Sequence, residues 1–488
     1  MKRTVNPYHN LDPVQNPAAP GLPPMLEKDH LEMHYFGKTV ITLALPVMFQ
    51  SFISAAVNYA DVIMLSCISQ SAMSAVSQAN QITFALTLIY LGLSTGVTIL
   101  TAQYWGIRNF KVIEQTLGLA VKFSTIVSVF FFLLTQTIPG VMMRIYTPDP
   151  ELISQGIPYL QIIGWGYLAT GFSQMLLASI KSMEETRICA LVSSGSLFCN
   201  IALNAVAIFL LFPDNPAMAV KGVAVATVLA RIMETVCCLL WMQKKSTAKL
   251  QLSCILRSEG WLSRDFRNCT WQVQMNYLIW GGALSAITAL IGHVSSDMVS
   301  AYSVANAMRN LVIVACTGVS SADGILLGKY LGSGRLALAK AAGDKLRLWS
   351  ILLGALSGCL ILLLRPVCLN MVDLNENAAE LLDGMLVICS WYCIGKSFNS
   401  TMVGGIFCAG GDTGFGLICD TAAMWGVILP LGWLCAFVLK LPPISIFFIL
   451  CLDEFVKMPF VAAHYKKYKW LTNLTQNRNE EANQNDNA

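Results

Sequence analysis

Twelve apolar stretches, each long enough to cross a bilayer as a helix, dominate this chain of 488 residues. A transmembrane helix needs about 20 predominantly apolar residues. Charged residues make up 12% of the chain, about half the share of a typical soluble domain. The pattern predicts an all-α polytopic membrane protein and excludes a soluble enzyme, a nucleic-acid reader and a secreted disulfide scaffold. The predicted spans, numbered 1 to 12, are 39–65, 80–102, 117–138, 157–180, 188–212, 222–243, 271–293, 301–328, 347–364, 385–408, 415–438 and 443–464.

The loops that join these spans differ in positive charge. The loops after the odd-numbered spans carry only Arg144, Lys221, Arg365 and Lys440, whereas most other loop Lys and Arg residues follow even-numbered spans. Positively charged loops stay in the cytoplasm. We therefore expect both termini there, in a multi-pass protein of the cell (inner, cytoplasmic) membrane.

A constant shift of 226 residues relates the two halves of the chain. It places the segment 74–80 on 300–306 with five identities in seven, and it also pairs Trp165 with Trp391. Because each half holds an even number of spans, this is a parallel repeat. We predict two pseudo-symmetric six-helix lobes, a transporter architecture in which the substrate cavity between the lobes opens to alternate sides. The predicted divisions are an N-terminal segment 1–38, an N-lobe 39–243, a linker 244–270, a C-lobe 271–464 and a disordered tail 465–488.

Several short motifs in both halves resemble those of one transporter family. They are Leu45-Pro46, Asn58-Tyr-Ala-Asp61, Gln103-Tyr-Trp-Gly106, Glu185-Thr186, Asn200-Ile-Ala-Leu-Asn204, Gly222-Val-Ala-Val-Ala-Thr227, Gly328-Lys-Tyr-Leu-Gly332 and Gly410-Gly-Asp-Thr413. Together the chain resembles the MATE (multidrug and toxic compound extrusion) family of the multidrug/oligosaccharidyl-lipid/polysaccharide flippase superfamily. The resemblance implies export of organic cations and drugs in exchange for sodium ions or protons.

The main candidate cation-coupling site lies in the N-lobe. Counting along the helices places Asp61, Asn200, Asn204 and Thr227 at similar depths, with the two asparagines on one helix face. Oxygen ligands of this kind suit Na⁺ at Asp61, and a desolvated carboxylate also binds a proton. The resemblance assigns the family's cation site to these positions, although Asn204 stands where many members carry Asp. The missing charge favours a proton. The alternatives are an interfacial carboxylate at Asp61 and interhelical hydrogen bonds from the asparagines.

Pro46 lies inside span 1, fifteen residues before Asp61. Proline removes a backbone hydrogen bond and kinks a helix. The kink either couples the occupancy of Asp61 to the shape of the cavity or is a static feature of the helix.

The C-lobe carries other ionisable residues at depth, although Ile287 stands opposite Asp61 in the repeat. Lys396, Asp420, Asp453 and Glu454 form either structural ion pairs or a second coupling or substrate site, because isolated ions in a membrane are costly. In span 6, the spacing of Arg231 and Glu234 predicts an ion pair. Candidate cavity or substrate residues are Tyr59, Gln81, Arg309, Trp391, Lys396 and Asn399.

The leading hypothesis is a secondary active multidrug efflux transporter that moves organic, mostly cationic compounds outward against inward H⁺ or Na⁺. One alternative is a flippase for a lipid-linked saccharide, although its pyrophosphate would favour more Arg and Lys in the N-lobe. A membrane enzyme and a non-transporting scaffold are further alternatives, against which the lack of catalytic motifs and the repeat argue. We expect a monomer in the lipid bilayer, without a cofactor, ATP or nucleic acid.

Overall fold

The computed structural model describes residues 25–66, 69–213, 215–256, 259–372 and 374–476, and within these ranges all regular structure is helical. The side chains of residues 58–63, 66, 252 and 256 are not described. Most of the predicted N-terminal segment and the end of the predicted tail lie outside the described residues.

Seventeen α-helices occupy the described ranges. They are α1 (Glu27–His34), α2 (Phe36–Ser66), α3 (Gln70–Gly106), α4 (Phe110–Thr137), α5 (Pro139–Arg144), α6 (Pro150–Ser182), α7 (Thr186–Ala205), α8 (Pro216–Lys245), α9 (Leu252–Leu256), α10 (Gly260–Val294), α11 (Ser296–Gly332), α12 (Leu336–Met371), α13 (Glu376–Asn399), α14 (Thr413–Thr421), α15 (Leu429–Trp433), α16 (Pro443–Leu450) and α17 (Asp453–Tyr465).

The predicted spans correspond to these helices in order. Ten helical stretches among the described residues are long and apolar enough to cross a membrane. The two remaining predicted spans correspond to α6 and to the pair α16 and α17. Spans 1, 2 and 3 are α2, α3 and α4, span 6 is α8, and spans 7, 8 and 9 are α10, α11 and α12.

Asparagine side chains begin several of the long helices. Asn109, Asn215 and Asn375 each accept a hydrogen bond from the backbone N–H three residues later, at 3.3, 3.1 and 2.8 Å. These bonds satisfy N–H groups that have no partner inside the helix. The chain therefore starts α4, α8 and α13 with local sequence signals.

Several spans depart from regular α-helix. π-helical turns occupy Val206–Leu211 in span 5, Ser400–Phe407 in span 10, and Ala422–Ile428 and Leu434–Val438 in span 11. Span 12, which the sequence predicts as one helix, divides between Leu450 and Asp453. This break starts α17 with two acidic residues, and acidic residues are stabilised at the positive end of a helix.

The helices group into two compact units. The N unit consists of residues 49–101 and 109–270, and the C unit of residues 25–48, 102–108 and 271–476 within the described part of the chain. The N unit therefore holds most of the first six spans and the segment predicted as a linker. The predicted lobe boundaries remain predictions.

Tyrosine hydroxyls link the helices of the N unit. The Tyr90 hydroxyl lies 2.8 Å from Ser128 Oγ and donates to the Tyr167 carbonyl at 3.0 Å. The Tyr167 hydroxyl in turn lies 2.9 Å from Thr83 Oγ1. Since these hydroxyls are buried, their bonds tie α3, α4 and α6 together with uncharged groups.

The predicted linker packs against the start of α4 in the N unit. Glu114 accepts hydrogen bonds from the backbone N–H of Lys249 at 2.7 Å and from the Gln251 amide at 2.8 Å. A Cβ at Gly118 would lie 2.5 Å from the Cys254 backbone, so glycine is needed for this approach. The linker segment is thus a packed part of the N unit.

In the C unit, the first turns of span 1 and the end of span 2 pack with the second half of the sequence. Phe36 and Val40 share a buried cluster with Tyr330. The Gln103 amide donates to the Ala409 carbonyl at 2.7 Å, and its oxygen accepts from the Leu474 N–H at 2.8 Å. Both termini of the described chain are therefore held in this unit.

Candidate functional site

The C unit contains a buried network of charged side chains built by spans 8, 10, 11 and 12. We call it the ion network and define it by the six residues Arg309, Lys396, Asp420, Asp453, Glu454 and Lys457. Three of these side chains are basic and three are acidic, so the network is neutral when all are ionised. Ions at this depth in a membrane protein must face the interior and pair with one another.

Glu454 is the centre of the ion network. Only 1% of its surface is exposed. Lys396 Nζ lies 3.1 Å from its Oε1 atom, and Lys457 Nζ lies 3.1 Å from its Oε2 atom. The Asn399 amide donates to Oε2 at 2.8 Å and to the Glu454 backbone carbonyl at 2.7 Å. One carboxylate thus accepts from two ammonium groups and an amide, which compensates its loss of water.

Helical spacing explains why three residues of span 10 contact Glu454. Tyr392, Lys396 and Asn399 follow one another at intervals of four and three residues in α13, so they share one face. Tyr392 adds a long hydrogen bond of 3.4 Å to Glu454. A Cβ at Gly395 would lie 2.9 Å from Glu454 Cβ, so this glycine lets α17 approach closely.

Lys457 connects Glu454 with two further carboxylates. Its ammonium nitrogen lies 2.9 Å from Asp420 in α14 and 3.7 Å from Asp453, one turn earlier in α17. Lys457 itself is buried. A single lysine therefore balances charges from spans 11 and 12.

Arg309 of α11 completes the set of cations. It donates to Asn306 Oδ1 at 2.6 Å, and its guanidinium lies 4.7 Å from the centre of the Tyr392 ring. Lys396 similarly lies 5.6 Å from the centre of the Trp280 ring. These aromatic faces stabilise both cations, and Lys396 is also paired with Glu454.

The predicted N-lobe site is partly described. The Asn200 amide donates to Thr227 Oγ1 at 3.1 Å, and the Asn204 amide donates to Asn200 Oδ1 at 3.4 Å. Both asparagines are buried. Three of the four predicted residues are thus together in the N unit, whereas the side chain of Asp61 lies outside the described residues.

The other residues predicted for a cavity or for coupling lie on several different helices. The side chain of Tyr59 also lies outside the described residues. Gln81 is exposed on α3, and Trp391 is 65% exposed on α13. Pro46 lies inside α2, as the sequence predicts. Roles of these residues in a cavity or in coupling stay predictions.

Lys457 is the main network residue that the sequence reasoning missed. A signal was available, because Lys457 follows Glu454 by three positions and Asp453 by four, the spacing of ion pairs on one helix face. The same rule correctly predicts the pair of Arg231 and Glu234, whose charged atoms lie 3.2 Å apart.

A multi-pass helical membrane protein with an internal repeat and a buried ion network has the features of a transporter. A family model described as MatE matches residues 46–206 and 275–434, one segment in each half of the repeat. The chain belongs to this family, the MATE transporters, and is a transporter rather than an enzyme.

Individual relatives are distant in sequence but cover most of the chain. The uncharacterized transporter YisQ of Bacillus subtilis (strain 168) is 21% identical over 89% of this chain and 95% of its own length. The multidrug resistance protein PmpM of Pseudomonas aeruginosa is 24% identical over 81% of this chain and 83% of its own.

Solved structures show the same fold. A MOP superfamily transporter from Pyrococcus furiosus superposes with a TM-score of 0.80 at 15% identity, covering 88% of this chain and 96% of its own. A multidrug resistance MATE transporter in an outward-facing conformation gives 0.79 at 15% identity, covering 89% and 96%. The twelve-helix, two-lobe architecture is therefore shared.

Proposed function

We propose that this chain is a secondary active exporter of organic, mostly cationic compounds, coupled to inward movement of H⁺ or Na⁺ by alternating access between two lobes. Membership of the MATE family and relatives such as PmpM, named as a multidrug resistance protein, support this direction. The observation that carries the proposal is the ion network, because buried ions inside membrane spans mark ion or substrate pathways.

The ion network has the chemistry needed to exchange cations. Glu454 is shared between Lys396 and Lys457, so its carboxylate is held by groups that can shift toward other partners. Asn399 Oδ1 is buried and accepts no hydrogen bond. A protonated amine of a substrate could therefore donate a hydrogen bond to Asn399 Oδ1, which lies on the residue that binds the Glu454 carboxylate.

In the N unit, we assign the coupling cation to Asp61. Asn200 and Thr227 form a polar pair at 3.1 Å that offers uncharged oxygens to a cation. Asn204 adds an amide rather than a second carboxylate, which favours a proton over sodium because ligand charge sets the affinity for hard cations.

The flippase alternative receives less support. A cavity for a lipid-linked pyrophosphate needs available cationic side chains. Arg231 of span 6 is instead paired with Glu234, which is buried and also accepts from Ser173 at 3.1 Å. Its charge is therefore already balanced within the N unit.

Uptake of the fluorescent cation ethidium into everted membrane vesicles, in which an exporter pumps its substrate inward, tests the proposal. A pH gradient and a sodium gradient are imposed separately, and we expect one of them to drive accumulation. Asp61→Asn should abolish driven transport while the protein remains in the membrane. The matched control is Asp149→Asn, which exchanges one good helix cap for another at an exposed position. Wild-type rates in Asp61→Asn, or transport that ignores both gradients, would contradict the proposal.

A further inference from the structure

Asp323, in the second half of α11, is a buried acid that lies outside the ion network. Its side chain has no exposed surface, and neither carboxylate oxygen has a hydrogen-bond partner. It also takes part in none of the ion pairs in the described part of the chain. A buried carboxylate without compensation is strongly unfavourable unless a proton or another cation neutralises it.

The carboxyl group faces the π-helical turn of span 10. A Cβ at Gly405 would lie 3.1 Å from Asp323 Cβ, so glycine at this position leaves room for the acid. The buried Thr401 hydroxyl faces the carboxyl group closely enough to interact with it, although the two do not form a hydrogen bond of ordinary geometry. π-Helical turns of this kind often occur at functional sites.

The charged and titratable neighbours along this interface are engaged elsewhere. Cys316 lies two turns earlier on α11, and its sulfur is 3.7 Å from Ser357 Oγ on α12. On α13, Cys393 is buried and Lys396 pairs with Glu454 at 3.1 Å. The portion of α2 that packs on this part of α11 supplies Met48, an apolar residue, at Gly318. No base among these neighbours pairs with the acid.

The internal repeat shows that packing alone does not require an acid here. The 226-residue shift places Val97 opposite Asp323 and Met175 opposite Thr401, and both apolar residues are fully buried. The same shift keeps serine at positions 94 and 320. One half thus fills this position with apolar side chains, whereas the other places a carboxyl beside a hydroxyl.

We propose that Asp323, facing the Thr401 hydroxyl, is a second proton-binding site of this transporter, distinct from the ion network and from Asp61. A proton needs only the carboxyl group itself, whereas a metal ion needs several oxygen ligands. The inference rests on the proposed coupling to cations, but the binding itself is measurable without transport.

Infrared spectroscopy of the purified full-length protein in detergent tests the site. The wild type at neutral pH should show the carbonyl stretch of a buried protonated carboxylic acid, shifted in D₂O, and Asp323→Asn should remove that band. Asp149→Asn is the matched control, because its exposed acid should not contribute to the band. A spectrum that is unchanged by Asp323→Asn overturns the proposal.

A second variant keeps the test decisive if Asp323→Asn fails to fold. Thr401→Val retains the acid and removes the hydroxyl that faces it, so the band should remain and change frequency. No change in frequency would place the protonated group elsewhere. A band that disappears with added NaCl at constant pH would identify a sodium site and refute proton binding. Failure of driven efflux with an intact Asp323 band would count against the proposed function alone.

Discussion

The two halves of the molecule have repeated helices, but they differ in the polar side chains that they bury. The N unit joins its helices mainly through neutral groups, as in the bond of 2.9 Å between the Thr83 and Tyr167 hydroxyls. The C unit buries the ion network around Glu454. Hydrogen bonds between neutral groups join helices at little electrostatic cost. Buried ions lose their hydration at a large cost, and inside membrane spans they mark functional sites.

Equivalent positions make the contrast concrete. At the 226-residue shift, Thr83 corresponds to Arg309 and Thr170 corresponds to Lys396. Thr170 donates to the backbone carbonyl of its own helix at 2.9 Å, whereas Lys396 reaches a carboxylate on another span. The two halves therefore share their helices, but equivalent positions hold neutral side chains in one half and cationic side chains in the other. This asymmetry suggests that cations act differently in the two halves.

The largest effect should follow loss of the central carboxylate of the ion network. Glu454→Gln leaves Lys396 and Lys457 without their shared anion, and breaking a buried ion pair costs about 3–5 kcal/mol. We expect a large fall in the thermal unfolding temperature in detergent. Thr227→Val, which removes a neutral bond of the N unit, is the matched comparison and should cost far less. If both variants lowered the unfolding temperature equally, the proposed difference between the two halves would be wrong.

A second change makes the N unit more like the C unit. Asn204→Asp adds a carboxylate to the polar cluster of Asn200 and Thr227. We expect NaCl, compared with choline chloride, to stabilise this variant by about 2–3 kcal/mol when sodium is in roughly hundredfold excess over its dissociation constant. Sodium-driven ethidium efflux should also rise. Identical salt responses of variant and wild type would show that the amide already serves as an adequate ligand.

A third change tests whether the hydrogen bonds of the tyrosine hydroxyls in the N unit are only structural. Tyr90→Phe removes bonds to Ser128 and to the Tyr167 carbonyl, at a cost of about 1 kcal/mol for each. The unfolding temperature should fall modestly, and the dependence of efflux on the pH gradient should stay as in the wild type. A changed cation dependence would give the tyrosines a part in coupling and weaken the comparison.

The smallest effect concerns an exposed acid of the N unit. Hydrogen bonds from the Gln115 amide and the Trp261 indole lower the pKa of Glu259. Its stabilisation is therefore present above the ordinary pKa of an unfolded glutamate and is lost as the pH falls through the lower folded value. Glu259→Gln should be slightly less stable than the wild type at neutral pH.

Unfolding temperatures measured across the acid range check this sign. The difference between Glu259→Gln and the wild type should shrink as the pH falls. A difference that grows in acid would mean that this carboxyl is stabilised in its protonated form.

Much of the helical plan follows from the sequence, because apolar length and loop charge act locally. Spans 1 to 11 each coincide with helical segments, and the spacing rule predicts the pair of Arg231 and Glu234. The break before Asp453 was missed, since hydropathy does not register one or two residues that leave the helix within an apolar run. The π-helical turns escaped prediction for the same reason.

The sites were harder to predict than the spans. The deep charges at Lys396 and Glu454 are visible in the sequence, but their pairing depends on how α13 meets α17. Asp323 gave no local signal, because a single acid near the end of an apolar run resembles an interfacial residue. Only burial on all sides, set by the π-helical turn of span 10 and by Gly405, distinguishes it.

Coupling between a substrate and a cation is reciprocal, which gives the most direct test of exchange. Purified protein is reconstituted into liposomes that contain a pH indicator, and a sodium indicator in a parallel sample. An ethidium gradient is then imposed without any ion gradient. We expect downhill movement of ethidium to drive one cation in the opposite direction, and we expect Asp61→Asn to remove this cation movement. Ethidium flux that moves neither protons nor sodium would contradict cation-coupled export.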